Sequence, residues 1–331
     1  MNLIVIRRSV TFVLMTSAMA CGPVDVVAEA DPSAATEATL LNGAEDPGHR
    51  FDVGICSGGI GAAGDANEGL CKKAKCSGTL IAPNLVLTAR HCIRKIDYAD
   101  AFCDSTFNDK PITDQKVLVT TSPSTVVGTP KWYSVKAELL PENRSLCADD
   151  VAMLLLDTPV PLREALPTLV NVYRDLASRP AAEVAIVGRG VISEVLNLET
   201  GQTTTVSGDL KRRVLQHVSF DCATNEASVP CDTVDYSSPP SNAFASPPSY
   251  FIIGQSITSG DSGSAVFDQA TFGFLPIVIG VTSAATFGPD GVPNHGLVTR
   301  LDIHRNFIFS GLWAAASSLG LRAHSFDSQA R

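Results

Sequence analysis

The sequence predicts an all-β fold, and three observations carry that expectation. Short β-branched runs recur along the chain: Leu85–Thr88, Val117–Thr121, Val151–Leu156, Val184–Val187, Val214–Val218, Ile277–Val281 and Leu297–Leu301. Each has strand length and is bounded by Gly, Pro, Asp or Ser, the residues that turn a chain. Between them no long amphipathic helical pattern appears, which excludes an alternating β/α layout and leaves a sandwich or barrels. One exception closes the chain: Leu301, Ile303, Phe307, Ile308, Leu312 and Trp313 form an apolar stripe at helical spacing, with Asp302 near its start. It reads as a packing helix without chemistry.

Composition bounds the function. The chain has 331 residues, 45% apolar and 18% charged. That is ample for a buried core in one large domain or two small ones, and it excludes wholesale disorder. The formal charge is −9. On so acidic a chain the short basic runs Lys72-Lys73-Ala74-Lys75 and Lys211-Arg212-Arg213 make no nucleic-acid footprint, and they read as solvated loop or strand ends. No internal repeat is visible. Ser237–Ser249 is a Pro/Ser loop that no central strand could contain.

Residues 1–20 read as a secretory signal: basic Arg7-Arg8, a short apolar stretch from Ser9, and the small-x-small site Ala18-Met19-Ala20. Cys21-Gly22 follows and resembles a bacterial lipoprotein junction, although Ala18 occupies a place where Leu is usual. Two outcomes stay open, a lipid on Cys21 that anchors the chain to a membrane, or simple cleavage. Either way the chain is expected to be exported, secreted or lipid-anchored at a bacterial cell envelope. Residues 21–39 read as a linker or propeptide, 40–320 as the folded domain and 321–331 as a polar tail. Of nine Cys, lipidation of Cys21 would leave an even number, which in an exported chain argues for disulfides. Paired C-x-x-C knuckles are absent from the sequence, so a zinc site is not expected.

Three short motifs carry chemistry. Gly260-Asp261-Ser262-Gly263-Ser264 is preceded by Thr88-Ala89-Arg90-His91-Cys92 and by Asp150-Val151-Ala152-Met153. Serine is a weak nucleophile until a base takes its proton, and the base needs a partner to fix its tautomer. Ser262 is therefore expected as nucleophile, His91 as general base and then acid, and Asp150 as the buried orienting carboxylate. The glycines around Ser262 permit a tight turn in which the N–H groups of Gly260 and Ser262 could form an oxyanion hole. Cleavage of a protein or peptide substrate would then need neither metal nor organic cofactor. Asp149 is a rival to Asp150, read as solvated. His49, His217, His295, His304 and His324 read as structural or surface residues.

The wrappers around these residues are specific. Cys76-Ser77-Gly78-Thr79-Leu80-Ile81 with Val86–Cys92 resembles the histidine region of the chymotrypsin/trypsin family of serine proteases. Asp150–Met153 resembles its aspartate motif and Gly260–Gly263 its serine motif, so the resemblance runs from about Leu40 to Phe309. It implies two packed antiparallel six-stranded β-barrels with the triad in the cleft between them and a C-terminal α-helix. It also implies a Cys76–Cys92 disulfide and a Gly-x-Gly strand at Gly188-Arg189-Gly190. Pocket walls would lie at Gly280–Ser283 and Gly296–Arg300, and Ser283 would meet substrate beside Asp150. Further pairings, Cys56–Cys71, Cys103–Cys147 and Cys222–Cys231, are expectations only, because connectivity does not follow from sequence.

Two departures stand out. A member of this family is activated by a new N-terminus that pairs with the Asp before the nucleophile. Here the nearest stretch is Leu40-Leu41-Asn42-Gly43 after Thr39, so a Leu40 amine would pair with Asp261, and no basic residue precedes the cut. The family's specificity position, six residues before the nucleophile, is Ser256, while Ala285 and Gly296 fill the other pocket-shaping positions. An apolar rather than Arg/Lys preference follows from that resemblance. A catalytically silent binding protein on the same fold is the alternative. A serine esterase would place a Gly-x-Ser-x-Gly elbow first and His last, the reverse of this order.

Overall fold

The computed structural model describes residues 43–321, except residues 67, 73–74, 100–101, 198–199, 207–209, 226–248 and 289. Strand β1 (Ala44–Glu45) precedes β2 (Asp52–Cys56), β3 (Lys75–Ala82) and β4 (Leu85–Thr88). A surface hairpin of β5 (Arg94–Asp97) and β6 (Thr106–Pro111) follows. Then come β7 (Leu118–Thr120), β8 (Trp132–Leu139), the one-turn helix α1 (Leu146–Asp149) and β9 (Ala152–Leu156). Strands β2-β3-β4-β9-β8-β7 close into an antiparallel barrel. Its strands contribute Val53, Ile55, Leu80, Leu87, Val119 and Met153 to the core, all fully buried. Each such side chain contributes about 1.5–3 kcal/mol relative to exposure.

The second half supplies β10 (Leu169–Val170), β11 (Glu183–Gly188), β12 (Ser193–Asn197), β13 (Gln202–Val206), β14 (Arg213–Ala223), β15 (Tyr250–Ile253) and β16 (Ala265–Asp268). The short helix α2 (Gln269–Phe272), β17 (Ile277–Phe287), β18 (Pro293–Arg300) and helix α3 (Arg305–Ser318) complete it. The order β14-β11-β16-β17-β18-β15, with β15 pairing back onto β14, closes a second six-stranded barrel. Strands β1 and β10 attach to it at β14 and β17, and β12 with β13 forms a separate hairpin. Each of the predicted runs overlaps one of these strands, those at Val117–Thr121, Val151–Leu156 and Leu297–Leu301 passing a strand end by one residue. The fold is the expected one: two antiparallel barrels and a C-terminal helix.

Helix α3 buries Ile308, Gly311 and Ala315 against β4 and β9. A Cβ at Gly311 would come within 2.3 Å of the Met153 Cε, so the helix approaches as closely as glycine allows. The predicted stripe is therefore rotated: Ile308 is buried, whereas Ile303 and Trp313 are exposed, because small residues make the closest contact.

The two barrels share a buried ion cluster. Asp52 on β2 accepts from Arg189 Nε at 2.7 Å and from Arg212 Nε at 3.2 Å. This overturns the solvated reading of Lys211-Arg212-Arg213, since Arg212 and Arg213 are buried. A carboxylate with no access to water needs counterions, and Arg189 and Arg212 supply them. Cys56–Cys71, Cys76–Cys92 and Cys103–Cys147 are disulfides. Cys222 is also disulfide-bonded, and its expected partner Cys231 lies outside the described residues. So do Cys21, Leu40, His324, residues 237–248 of the Pro/Ser loop and the tail beyond residue 321.

Candidate active site

Strand β4 ends at Thr88, and a single 3-10 turn over Arg90–Cys92 then presents His91. Asp150 follows α1 at the mouth of β9 and is fully buried. It accepts the His91 backbone N–H at 2.9 Å and meets His91 Nδ1 at 2.7 Å. An ionised carboxylate only accepts, so Nδ1 carries the proton and Nε2 is left basic. Burial pulls the imidazole down, but the charge and hydrogen bond of Asp150 outweigh it and hold His91 above its ordinary value. Burial pushes Asp150 up, and the His91 charge, with bonds from His91 and Ser283, brings it below the usual carboxylate range. Ser283 Oγ donates to Asp150 Oδ2, and Thr299 Oγ1 donates to its backbone carbonyl at 3.2 Å. Tyr250, buried behind them, lies 3.0 Å from Ser283 Oγ. A His91 ring nitrogen lies within 4.8 Å of the Cys76 and Cys92 sulfurs. Those sulfurs are joined to each other and offer no thiolate to a metal.

Ser262 lies in the Gly260–Gly263 turn, where Gly260 has φ +98° and Gly263 φ +84°. A Cβ at Gly263 would stand 2.2 Å from both the Ser77 carbonyl and Thr88 Oγ1. Glycine thus lets the turn press against the end of β4, three residues before His91. Ser77 N–H donates to the Ser262 carbonyl at 2.8 Å, and the Cys92 sulfur lies 3.6 Å from the same oxygen. Among the described residues, the N–H groups of Gly260 and Ser262 have no acceptor. Asp261 between them is fully buried. It accepts from Gly190 N–H at 2.7 Å, Thr258 N–H at 3.0 Å and Thr258 Oγ1 at 3.1 Å. It has no cationic partner among the described residues, and burial pushes it up to about 7 against those hydrogen bonds.

A cleft of about 260 Å³ opens on Ser262, and its walls include Glu194, Ile257, Ser259, Ser283 and Ala285. Of the expected pocket residues, Ser283 and Ala285 line it, but Ser256 and Gly296 do not. Ser256 is buried and donates to the Gly254 carbonyl at 2.9 Å. The space over Gly296 is taken by Ile253 and Ile257. A larger cavity of about 420 Å³, between His49 and Leu275, holds none of the triad residues. His49 stacks on Phe272, and His217 and His295 pair with Glu183 and Asp221. Asp149 is not solvated as expected, because it accepts from His304 at 3.0 Å.

A family profile described as Trypsin matches residues 62–308. The chain belongs to the trypsin family. Its domain is accordingly a serine-type peptidase domain of the chymotrypsin class, which acts on protein or peptide substrates. No curated protein in the comparison matches this chain. Sequence reasoning passed over Glu194, Tyr250 and the pairing of Arg189 with Asp52. Arg189 alone carried a signal, a charged residue held between two glycines.

Proposed function

We propose that this chain is a serine endopeptidase that acts through an acyl-enzyme on Ser262. The observation that carries the reading is the His91–Asp150 pair beside a turn whose Gly260 and Ser262 N–H groups have no acceptor among the described residues. In this reading Ser262 Oγ attacks the substrate carbonyl carbon and His91 Nε2 takes its proton. The oxygen gains negative charge and is held by the Gly260 and Ser262 N–H groups, each worth about 3–4 kcal/mol in the transition state. The C–N bond breaks as His91 returns the proton to the leaving amine. Water, deprotonated by His91, then frees the acid and Ser262. Asp150 stays ionised and stabilises the imidazolium.

The mature enzyme would begin at Leu40, after loss of residues 1–20 and of the segment 21–39. The new ammonium would be the cation that buried Asp261 lacks. Export belongs to the same proposal, and a lipid on Cys21 would anchor the chain only until the segment 21–39 is cut away. Ile257, Ala284, Ala285 and Phe287 give part of the cleft an apolar wall, which would take an apolar substrate side chain, beside polar walls that include Glu194 and Thr203.

The test is casein hydrolysis by purified chain beginning at Leu40, followed by mapping of the cleaved bonds. Hydrolysis lost in Ser262→Ala is the expected result. A folded chain with that N-terminus and no hydrolysis would overturn the reading in favour of a silent binding protein.

A further inference from the structure

We infer that Glu194 is a positioning residue for the oxyanion turn, holding Ser259 so that the following N–H, that of Gly260, stays free for the substrate oxygen. The inference rests on the serine-peptidase reading above. Glu194 belongs to β12 of the hairpin that follows Gly190, pairs with Thr205 of β13, and is only 5% exposed. Its carboxylate accepts the Ser259 backbone N–H at 2.7 Å and the Ser259 hydroxyl at 2.5 Å. The Ser259 carbonyl accepts from Val191 N–H at 2.8 Å. All three polar groups of Ser259 are thus held by residues 191–194. Bonds to a carboxylate are the strong kind, about twice neutral ones.

The clamp is itself anchored. Thr258 Oγ1 donates to the Val191 carbonyl at 3.0 Å. Beyond Glu194, Leu196 N–H donates to the Gly291 carbonyl at 2.8 Å, tying the hairpin to the loop between β17 and β18. A Cβ at Gly291 would stand 2.1 Å from the Leu196 carbonyl, so this second contact is as close as the first. The hairpin is held at Ser259 and at Gly291, and Glu194 and Thr203 face the cleft.

Gly260 itself is held at its carbonyl, which accepts from Ser77 Oγ at 3.0 Å, but not at its N–H among the described residues. Its φ of +98° lies where glycine is free, and nothing in its side chain prevents the Ser259–Gly260 peptide from turning over. A turned peptide would remove one oxyanion donor while leaving His91 and Asp150 untouched. Loss of one such donor costs about 10²–10³ in rate. Ser259, fixed at N–H, Oγ and C=O, denies the peptide that rotation.

The experiment compares wild type, Glu194→Ala and Glu194→Gln as full-length mature chain. It reads the rate of Ser262 labelling by a fluorophosphonate, kcat and KM on a peptide cut by the wild type, the pH midpoint and the melting temperature. Glu194→Ala is expected to slow labelling and kcat by about 10–100-fold, with the pH midpoint of His91 unchanged. Glu194→Gln, whose amide can accept from Ser259 N–H, should recover most of the rate. A wild-type labelling rate in Glu194→Ala overturns the inference, as does a shifted pH midpoint, which would place the fault in the triad. If the Ala variant does not fold, Glu194→Asp replaces it, since the shorter acid cannot reach both donors. A wild-type rate there is equally fatal. Wild-type labelling and its loss in Ser262→Ala are read first. Failure at that stage overturns the peptidase reading itself, while success with an unchanged Glu194 variant overturns the positioning role alone.

Discussion

Asp150 and Asp261 are both fully buried carboxylates, one beside each barrel, and they are held in opposite ways. Asp150 has an imidazole at 2.7 Å, a backbone N–H and the Ser283 hydroxyl, and its pKa falls below the usual range. Asp261 has two backbone N–H groups and one hydroxyl, no cation among the described residues, and a pKa pushed up to about 7. Burial alone raises both. The difference is the partner charge. His91 is stapled by a disulfide through Cys92 and its carboxylate partner is neutralised. The Ser262 turn is built on glycines and on a carboxylate with no counterion among the described residues, which is where the proposed new ammonium would matter.

Substitutions at the two carboxylates should therefore differ in kind. Asp150→Asn leaves the shape but offers His91 the wrong tautomer, so kcat is expected to fall by about 10⁴-fold, measured on any peptide the wild type cuts. In the wild type, activity should rise with pH through a midpoint above the ordinary histidine value, because the raised His91 must lose its proton to act as base. Replacing Cys76 and Cys92 by Ser removes a link between residues 16 apart, and chemical denaturation should show a loss of about 3 kcal/mol. Gly190→Ala would place a Cβ 2.2 Å from Asp261 Oδ2, so a stability loss of about 1–3 kcal/mol is expected, with activity reduced through the nucleophile turn.

A further prediction concerns Asp261→Asn and depends on pH. With a folded value near 7 against an ordinary 3.8, the folded chain keeps a proton that the unfolded chain has lost between those values. Stability contributed by Asp261 therefore falls as pH rises from about 4 to 7. Melting temperatures across that window should drop more steeply for a chain lacking the Leu40 amine than for its Asp261→Asn variant. Parallel curves would mean that Asp261 is already paired.

Much of this was legible in the sequence, for identifiable reasons. Strands β4, β9 and β11 are continuous apolar runs because both faces of a barrel wall are covered, and runs of that kind survive in the residue string. The His91–Asp150 pairing and the Ser262 turn were legible because each residue carries a local wrapper: the cysteine after His91, the apolar strand after Asp150, the glycines around Ser262. Strand β8 and the β12–β13 hairpin were missed because neither forms an apolar run: β8 is mostly half-buried and carries Lys136 and Glu138, and β12 places the charged Glu194 at its buried position. Glu194 itself had no local signal, since its role comes from Ser259, 65 residues away. The burial of Arg212 failed likewise to show in the string, because its partner Asp52 lies on β2. The room read from small Gly296 is taken by Ile253 and Ile257, while Ser256 turns its hydroxyl to the Gly254 carbonyl, contacts that no residue string displays.

The most direct test is fluorophosphonate labelling of purified chain beginning at Leu40, with the adduct mapped by mass spectrometry. The account predicts a single adduct on Ser262, absent from Ser262→Ala and formed at a rate that rises with pH through the His91 midpoint. A folded chain with that N-terminus and no adduct, or one labelled elsewhere, would contradict it.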